Sequence, residues 1–226
     1  MTLTTPETRI GIDSPAGFIE AFTEWDSDRV GRVRFLNVLS FLYARDVIVT
    51  TPSFGDVEVD IAFGGAFYAY LSGSQVGLAV RPDHYQRLIQ LGDEVKNAVA
   101  EKVNIQHPLI PELNRLYGTI IDGAPQHRGS SQANVCIFAD REVDRSPTGT
   151  AGRVVQLFAR GQLGKDDVLV NESIIGTTFQ GRVAREVKVG EFDAVIPEIS
   201  SEAFLTGFNQ WVIDPRDPVG KGFFLR

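Results

Sequence analysis

Asp144–Gly161 reads DRSPTGTAGRVVQLFARG, a rigid turn that runs into a short segment apolar over most of its circumference. Ser146-Pro147 sets the turn, Thr148 is a natural N-cap, and Gly149, Thr150 and Ala151 leave the first backbone N–H groups unobstructed. Arg160 and Gly161 supply the cation and the glycine expected at a helix C-terminus. Between these ends, Val154, Val155, Leu157, Phe158 and Ala159 crowd the helix with more apolar surface than one buried stripe needs. A helix that is hydrophobic nearly all round has to be wrapped, so this one is expected inside a sheet.

The chain on either side can provide that sheet. Arg9 to Asp13, Ala16 to Trp25, Val30 to Asn37, Asp46 to Thr51 and Val57 to Phe63 are β-branched or aromatic stretches separated by turn residues. DVEVDIAF alternates, with Val57, Val59, Ile61 and Phe63 on one face, which predicts a half-buried strand. Between Pro82 and Val103 the spacing becomes helical, with Leu88, Leu91, Val95 and Val99 three and four residues apart and Pro82 near the first turn. Strands resume at Leu116 to Ile121 and Asn134 to Ala139, and the region from Val168 to Ile213 is strand-like, with VGEFDAVIPEI as a hairpin arm. Strands far outnumber the two helices, which show no regular strand-helix-strand rhythm. The expected class is therefore α+β with a mixed sheet.

Composition narrows the function. The 226 residues are 43% hydrophobic and 23% charged, the balance of a soluble globular protein. A net charge of −7 disfavours a nucleic-acid or anionic-membrane partner and leaves a small-molecule ligand. No apolar run reaches membrane-spanning length and the first residues, MTLTTPETRIG, lack the features of a signal peptide, so a cytoplasmic location is expected. One cysteine, Cys136, allows no intrachain disulfide, and His84, His107 and His127 are not spaced as ligands, so no bound metal is expected.

Three candidates for chemistry stand out. Gly64-Gly65 closes a strand and either forms a bulge or lets the backbone approach a ligand; no dinucleotide or phosphate-loop glycine pattern surrounds it. Cys136 lies in the alternating run NVCIFAD with no cation or helix start beside it, which reads as a buried, inert thiol. His107, in QHPLIPE, is either a capped loop histidine or a functional one. The Thr148 loop combines the Asp144 carboxylate with a helix start able to hold an anion. It is either an ordinary N-cap or a site for an amino acid, whose carboxylate would meet the helix start and whose ammonium would meet Asp144.

DRSPTGT resembles the second active-site motif of the proline racemase family, D-R-S-P-C-G-T-G, with Thr148 in place of the catalytic cysteine. DSPAG (13–17), VDIAFGGAFYAYL (59–71), HP (107–108), YGTIIDG (117–123), ESIIGTTFQGRV (172–183) and DPRDPVGKGFFL (214–225) extend the resemblance over almost the whole chain. It implies the diaminopimelate epimerase-like fold, two lobes each wrapping sheet around a central helix. Residues 1–22 are then the remnant of the first lobe, 23–213 the second lobe carrying DRSPTGT, and 214–226 a tail returning to the first.

Family racemases and epimerases use one cysteine on each face of the substrate's α-carbon. Threonine at the second position, with alanine in GGAFYA, resembles the branch that dehydrates trans-3-hydroxy-L-proline, a cofactor-independent lyase reaction needing one base. By resemblance, Asp144 holds the ring nitrogen, Gly149 and Thr150 offer N–H groups to the carboxylate, and Thr148 sits by the departing hydroxyl. The family's first motif, M-C-G-H, has no counterpart before Asp13, and the segment after Thr150 is two residues shorter than usual. The chain is therefore expected to be N-terminally truncated and inactive as given. The alternatives are a proline racemase or hydroxyproline 2-epimerase and a non-catalytic imino-acid-binding remnant, with a homodimer left open.

Overall fold

A computed structural model describes residues 4, 6–26 and 29–222. In chain order the elements are β1 (Glu7–Ser14), β2 (Gly17–Asp26), β3 (Arg29–Leu36), β4 (Ser40–Thr51), β5 (Gly55–Phe63), β6 (Phe67–Ser72), α1 (Tyr85–Lys102), β7 (Leu116–Gly123), β8 (Gln132–Phe138), β9 (Glu142–Val143), α2 (Thr150–Ala159), β10 (Leu169–Ser173), β11 (Thr178–Val189) and β12 (Phe192–Glu202). All strands belong to a 12-stranded sheet running β1-β2-β3-β12-β11-β10-β8-β7-β6-β5-β4, with β9 beside β8. β12 pairs with β3 through Glu198–Glu202 and with β4 through Ala194 and Val195, so the sheet closes on itself from β4 round to β12. β1 and β2 extend it beyond β3.

The mixed sheet is the expected one, but the helices are placed differently from the sequence reading. β6 runs parallel to β7, and β8 parallel to β10, so α1 and α2 are each the crossover of a parallel pair. The absence of a regular rhythm hid this, because the β7–β8 pairing between the two units is antiparallel. Both crossovers step in the same direction across the sheet on strands that point oppositely. One common hand for the crossovers therefore puts the two helices on opposite faces.

Two clusters of buried side chains confirm that division. Leu88, Leu91, Val95 and Val99 of α1, the stripe seen in the sequence, are fully buried on Ile61, Phe63, Leu71, Ile121, Val135 and Ile137. Val154 and Val155 of α2 pack instead on Leu42, Ala62, Tyr70, Ile120, Cys136, Leu169, Val183 and Val195, one residue from each strand of the closed sheet. α2 is thus inside the barrel, as its apolar circumference demanded. With a helix on each face, β5 is buried on both from Val59 to Phe63 rather than half buried.

A barrel this small normally has room only for side chains, so the helix fits through close contacts. A Cβ on Gly152 would overlap the Tyr70 hydroxyl, and one on Gly64 would fall 2.6 Å from Gly152 N. Asp60, on the inner face of β5, fixes the far end of α2. Its Oδ2 accepts from Arg160 Nε (2.6 Å) and Gln156 Nε2 (2.7 Å), and its Oδ1 from Arg160 Nη2 (2.6 Å). VGEFDAVIPEI crosses the β11–β12 turn and continues as β12. The strand stops at Glu202, however, and 203–213 has no regular secondary structure, its Phe204, Phe208 and Trp211 exposed. Of the 214–226 tail, residues 223–226 lie outside the described residues.

Candidate functional site

The loop from Asp144 to Gly149 delivers the chain into the barrel. Asp144 organises it: Oδ1 accepts from Ser146 N and Ser146 Oγ, both at 2.9 Å, and Oδ2 accepts from Thr148 Oγ1 at 2.5 Å. Burial raises the carboxyl's pKa, but the hydrogen bonds from Thr148 and Ser146 outweigh it and hold Asp144 below its usual range, as a carboxylate at neutral pH.

Thr148 is not the N-cap that its position suggested. Its hydroxyl is taken by Asp144, and Gly149 caps the helix with φ 85° and ψ 2°, a left-handed conformation that costs glycine little. The helix therefore begins at Thr150. Arg153 N is bonded to Gly149 O (2.9 Å), so the amides of Thr150, Ala151 and Gly152 have no acceptor inside the helix. They front a cavity of about 280 Å³, whose walls include Gly64–Ala66, Tyr68, Tyr70, Pro147, Thr148 and Phe179. Its volume is at the small end for ligand pockets.

The structure thus gathers Asp144, Thr148, Gly149 and Thr150 at one end of α2, and brings Gly64-Gly65 from the β5–β6 turn to the opposite wall. The glycine pair forms the β5–β6 hairpin turn rather than a bulge, and the close approach it permits is that of α2, whose Gly152 N a Cβ on Gly64 would meet. Sequence reasoning missed the residues behind the loop. Asn134 Nδ2 donates to Thr148 O (2.8 Å) and Tyr70 Oη to Gly149 O (3.0 Å). Thr150 Oγ1 donates to Pro147 O (2.5 Å) while accepting from Asn171 Nδ2 (2.8 Å). The available signal was a polar residue, Asn134, in step with Cys136 on a strand face that turns inward.

Tyr68 was also missed. Burial first, then the neighbouring Cys136 and Tyr70, push its pKa up, so the cavity is offered a neutral phenol. Cys136 is fully buried among the residues around α2, and burial, reinforced by Asp144, raises its pKa. It is buried, as the sequence indicated. His107 is the capped loop histidine of the two alternatives: Nδ1 accepts from Leu109 N (3.2 Å) and Ile110 N (3.0 Å), and burial lowers its pKa. His127 instead contacts the fully buried Glu172, Nδ1 to Oε1 at 2.7 Å. Among the described residues no group of three or more His, Cys, Asp or Glu side chains is placed to hold a metal ion, and no helix is long and apolar enough to cross a membrane.

The sequence matches the proline racemase family over residues 1–224. The chain belongs to that family. It is 58% identical over 225 residues to a trans-3-hydroxy-L-proline dehydratase of Burkholderia cenocepacia, covering 99% of this chain and 67% of the relative. It is 57% identical, with the same coverage, to a 3-hydroxyproline 2-epimerase of Burkholderia multivorans. Among solved structures, a hydroxyproline epimerase from Agrobacterium vitis with bound trans-4-hydroxy-L-proline superposes with a TM-score of 0.89 at 30% identity, over 100% of this chain and 65% of that one. The chain therefore has the α+β fold of proline racemase family enzymes and spans about two thirds of the length of these relatives.

Proposed function

We propose that the chain belongs to the trans-3-hydroxy-L-proline dehydratases and that the cavity at the start of α2 grips the imino acid. The Asp144 carboxylate, whose Oδ1 is filled by the two Ser146 donors while Oδ2 accepts only from Thr148, takes the ring ammonium on Oδ2. The N–H groups of Gly149 and Thr150 take the substrate carboxylate, where they also stabilise the enediolate-like charge that develops as the α-proton leaves. In the reaction a base removes the α-proton, the C–H pair forms the ring double bond, and the 3-hydroxyl departs with a proton as water. The enamine then tautomerises to pyrroline-2-carboxylate. Asp144 keeps the Thr148 hydroxyl on the wall where the leaving group would sit.

The observation that carries this reading is the group at position 148. A hydroxyl hydrogen-bonded to a carboxylate is too weak an acid and base to exchange an α-proton as a thiol does. Elimination needs no proton returned to the opposite face of the α-carbon. The same reading assigns 23–213 to the lobe that carries the loop, and 1–22 and 214–226 to the other, in keeping with the exposure of Ile12, Phe18 and Val219. With Cys136 sequestered, the 226 residues alone are expected to bind the imino acid without converting it.

Calorimetry and chemical rescue test this together. Trans-3-hydroxy-L-proline should bind saturably, and adding a small external base such as ethanethiol should yield pyrroline-2-carboxylate without inverted imino acid. Failure to bind any imino acid would overturn the reading. The 57% identity to a 3-hydroxyproline 2-epimerase favours a second reading, an epimerase. Inverted product carrying solvent deuterium at the α-carbon would establish it.

A further inference from the structure

We infer that Asn134 is a positioning residue, which turns the Thr148–Gly149 peptide so that its N–H joins that of Thr150 as a donor pair. The inference rests on the proposed imino-acid site and names a device that builds it. The Thr150 amide is aimed by the helix itself, since every first-turn N–H points out along the axis. The Gly149 amide belongs to a peptide that precedes the helix, and nothing in helix geometry orients it. A trans peptide is planar, with its C=O and N–H pointing oppositely. Asn134 Nδ2 holds Thr148 O at 2.8 Å from within the barrel. The N–H of the same peptide is thereby directed away from β8, and Thr148 and Gly149, which share that peptide, both line the cavity while Asn134 does not.

The second amide atom supports a functional reading of Asn134. Asn134 is fully buried, yet its Oδ1 has no hydrogen-bond partner. Rotating the amide by half a turn would bring two acceptors together at Thr148 O, so the nitrogen must face the loop. The fold therefore accepts one unsatisfied buried acceptor in order to present a donor at this point, where an aliphatic side chain would pack without that cost. The neighbouring carbonyls have other partners. Thr150 Oγ1, itself held by Asn171, bonds Pro147 O, and Tyr70 Oη bonds Gly149 O. Pro147 O shares its peptide with the Thr148 amide and Gly149 O with the Thr150 amide, so of these residues Asn134 is the one that governs the peptide carrying the Gly149 amide.

Asn134→Leu in the full 226-residue chain separates positioning from scaffolding, with calorimetry against trans-3-hydroxy-L-proline and against the corresponding alcohol, which lacks the carboxylate. The variant should keep its melting temperature within a few degrees, because losing the Thr148 bond is offset by removing the orphaned oxygen. Its preference for the acid over the alcohol should fall about tenfold, and the Gly149 amide proton should no longer shift on ligand addition in ¹H–¹⁵N spectra. An unchanged preference with a normally folded variant would overturn the inference. So would loss of folding in both Asn134→Leu and Asn134→Asp, which would assign the residue to the scaffold. If the unmodified chain binds no imino acid, the site reading fails first; if it binds and the Gly149 amide is unmoved by ligand, the positioning inference alone fails.

Discussion

The seating of α2 inside the barrel predicts a specific energetic coupling between Gly152 and Tyr70. Gly152→Ala would place a Cβ 3.0 Å from Tyr70 Cζ and closer still to its hydroxyl oxygen. Tyr70 is fully buried and bonded to Gly149 O, so it cannot swing clear. Overpacking of this kind costs about 1–3 kcal/mol, set against a helix-propensity gain of at most about 1 kcal/mol for alanine over glycine. The net loss should be about 1–2 kcal/mol. Tyr70→Phe alone removes one hydrogen bond while Gly149 O keeps Arg153 N, a loss of about 1 kcal/mol. In the double variant the overlapping oxygen is gone, so the two losses should not add. The double variant should be more stable than their sum by about 1–2 kcal/mol. Urea titrations of the four proteins, compared at a common m-value, measure this coupling. Additivity to within about 0.5 kcal/mol would mean that the helix does not lie against Tyr70, and the wrapped-helix account would be wrong.

Asp60→Asn should destabilise the chain by about 2–3 kcal/mol, below the usual range for a broken buried pair because Arg160 is partly exposed and keeps Asp46. Burial raises the Asp60 pKa, but the bonds from Arg160, Gln156 and Asp46 N more than reverse this. With a depressed folded-state pKa, the stabilisation is present above about pH 4 and is lost as pH falls through the folded value. The variant's unfolding free energy should therefore decline less steeply in acid. Cys136 should resist alkylation by iodoacetamide in the folded chain and react once urea unfolds it; rapid labelling of the native protein, followed by mass spectrometry, would contradict its placement against α2. His127→Ala deprives the buried Glu172 of its imidazole partner, leaving the His127 amide and Ser130. Its pKa, depressed because these hydrogen bonds outweigh burial, should rise in ¹³C-detected titrations, and stability at neutral pH should fall by about 1–3 kcal/mol.

The amino-acid sequence by itself determined the form of most segments, though not the end of the last strand at Glu202, and that one helix had to be enclosed. Periodicity is local: the Leu88–Val99 stripe, the alternation of DVEVDIAF and the apolar crowding from Val154 to Ala159 each express a burial demand within one element. Asp144, Thr148, Gly149 and Thr150 could be proposed from the sequence because they fall in one short motif whose chemistry is recognisable. What local pattern cannot carry is the partner on the other side. DVEVDIAF was read as buried on one face because the sequence does not say that α1 and α2 would cover opposite faces of the same strand. The capping position fell to Gly149 because the chain turns left-handed there, while Thr148, one residue earlier, points its hydroxyl back to donate to the Asp144 carboxylate. Asn134, Tyr70 and Asn171 came to hold the 147–150 loop only when closure of the sheet brought strands distant in sequence around it. Their hydrogen bonds depend on distance and angle in three dimensions, which tertiary packing alone sets.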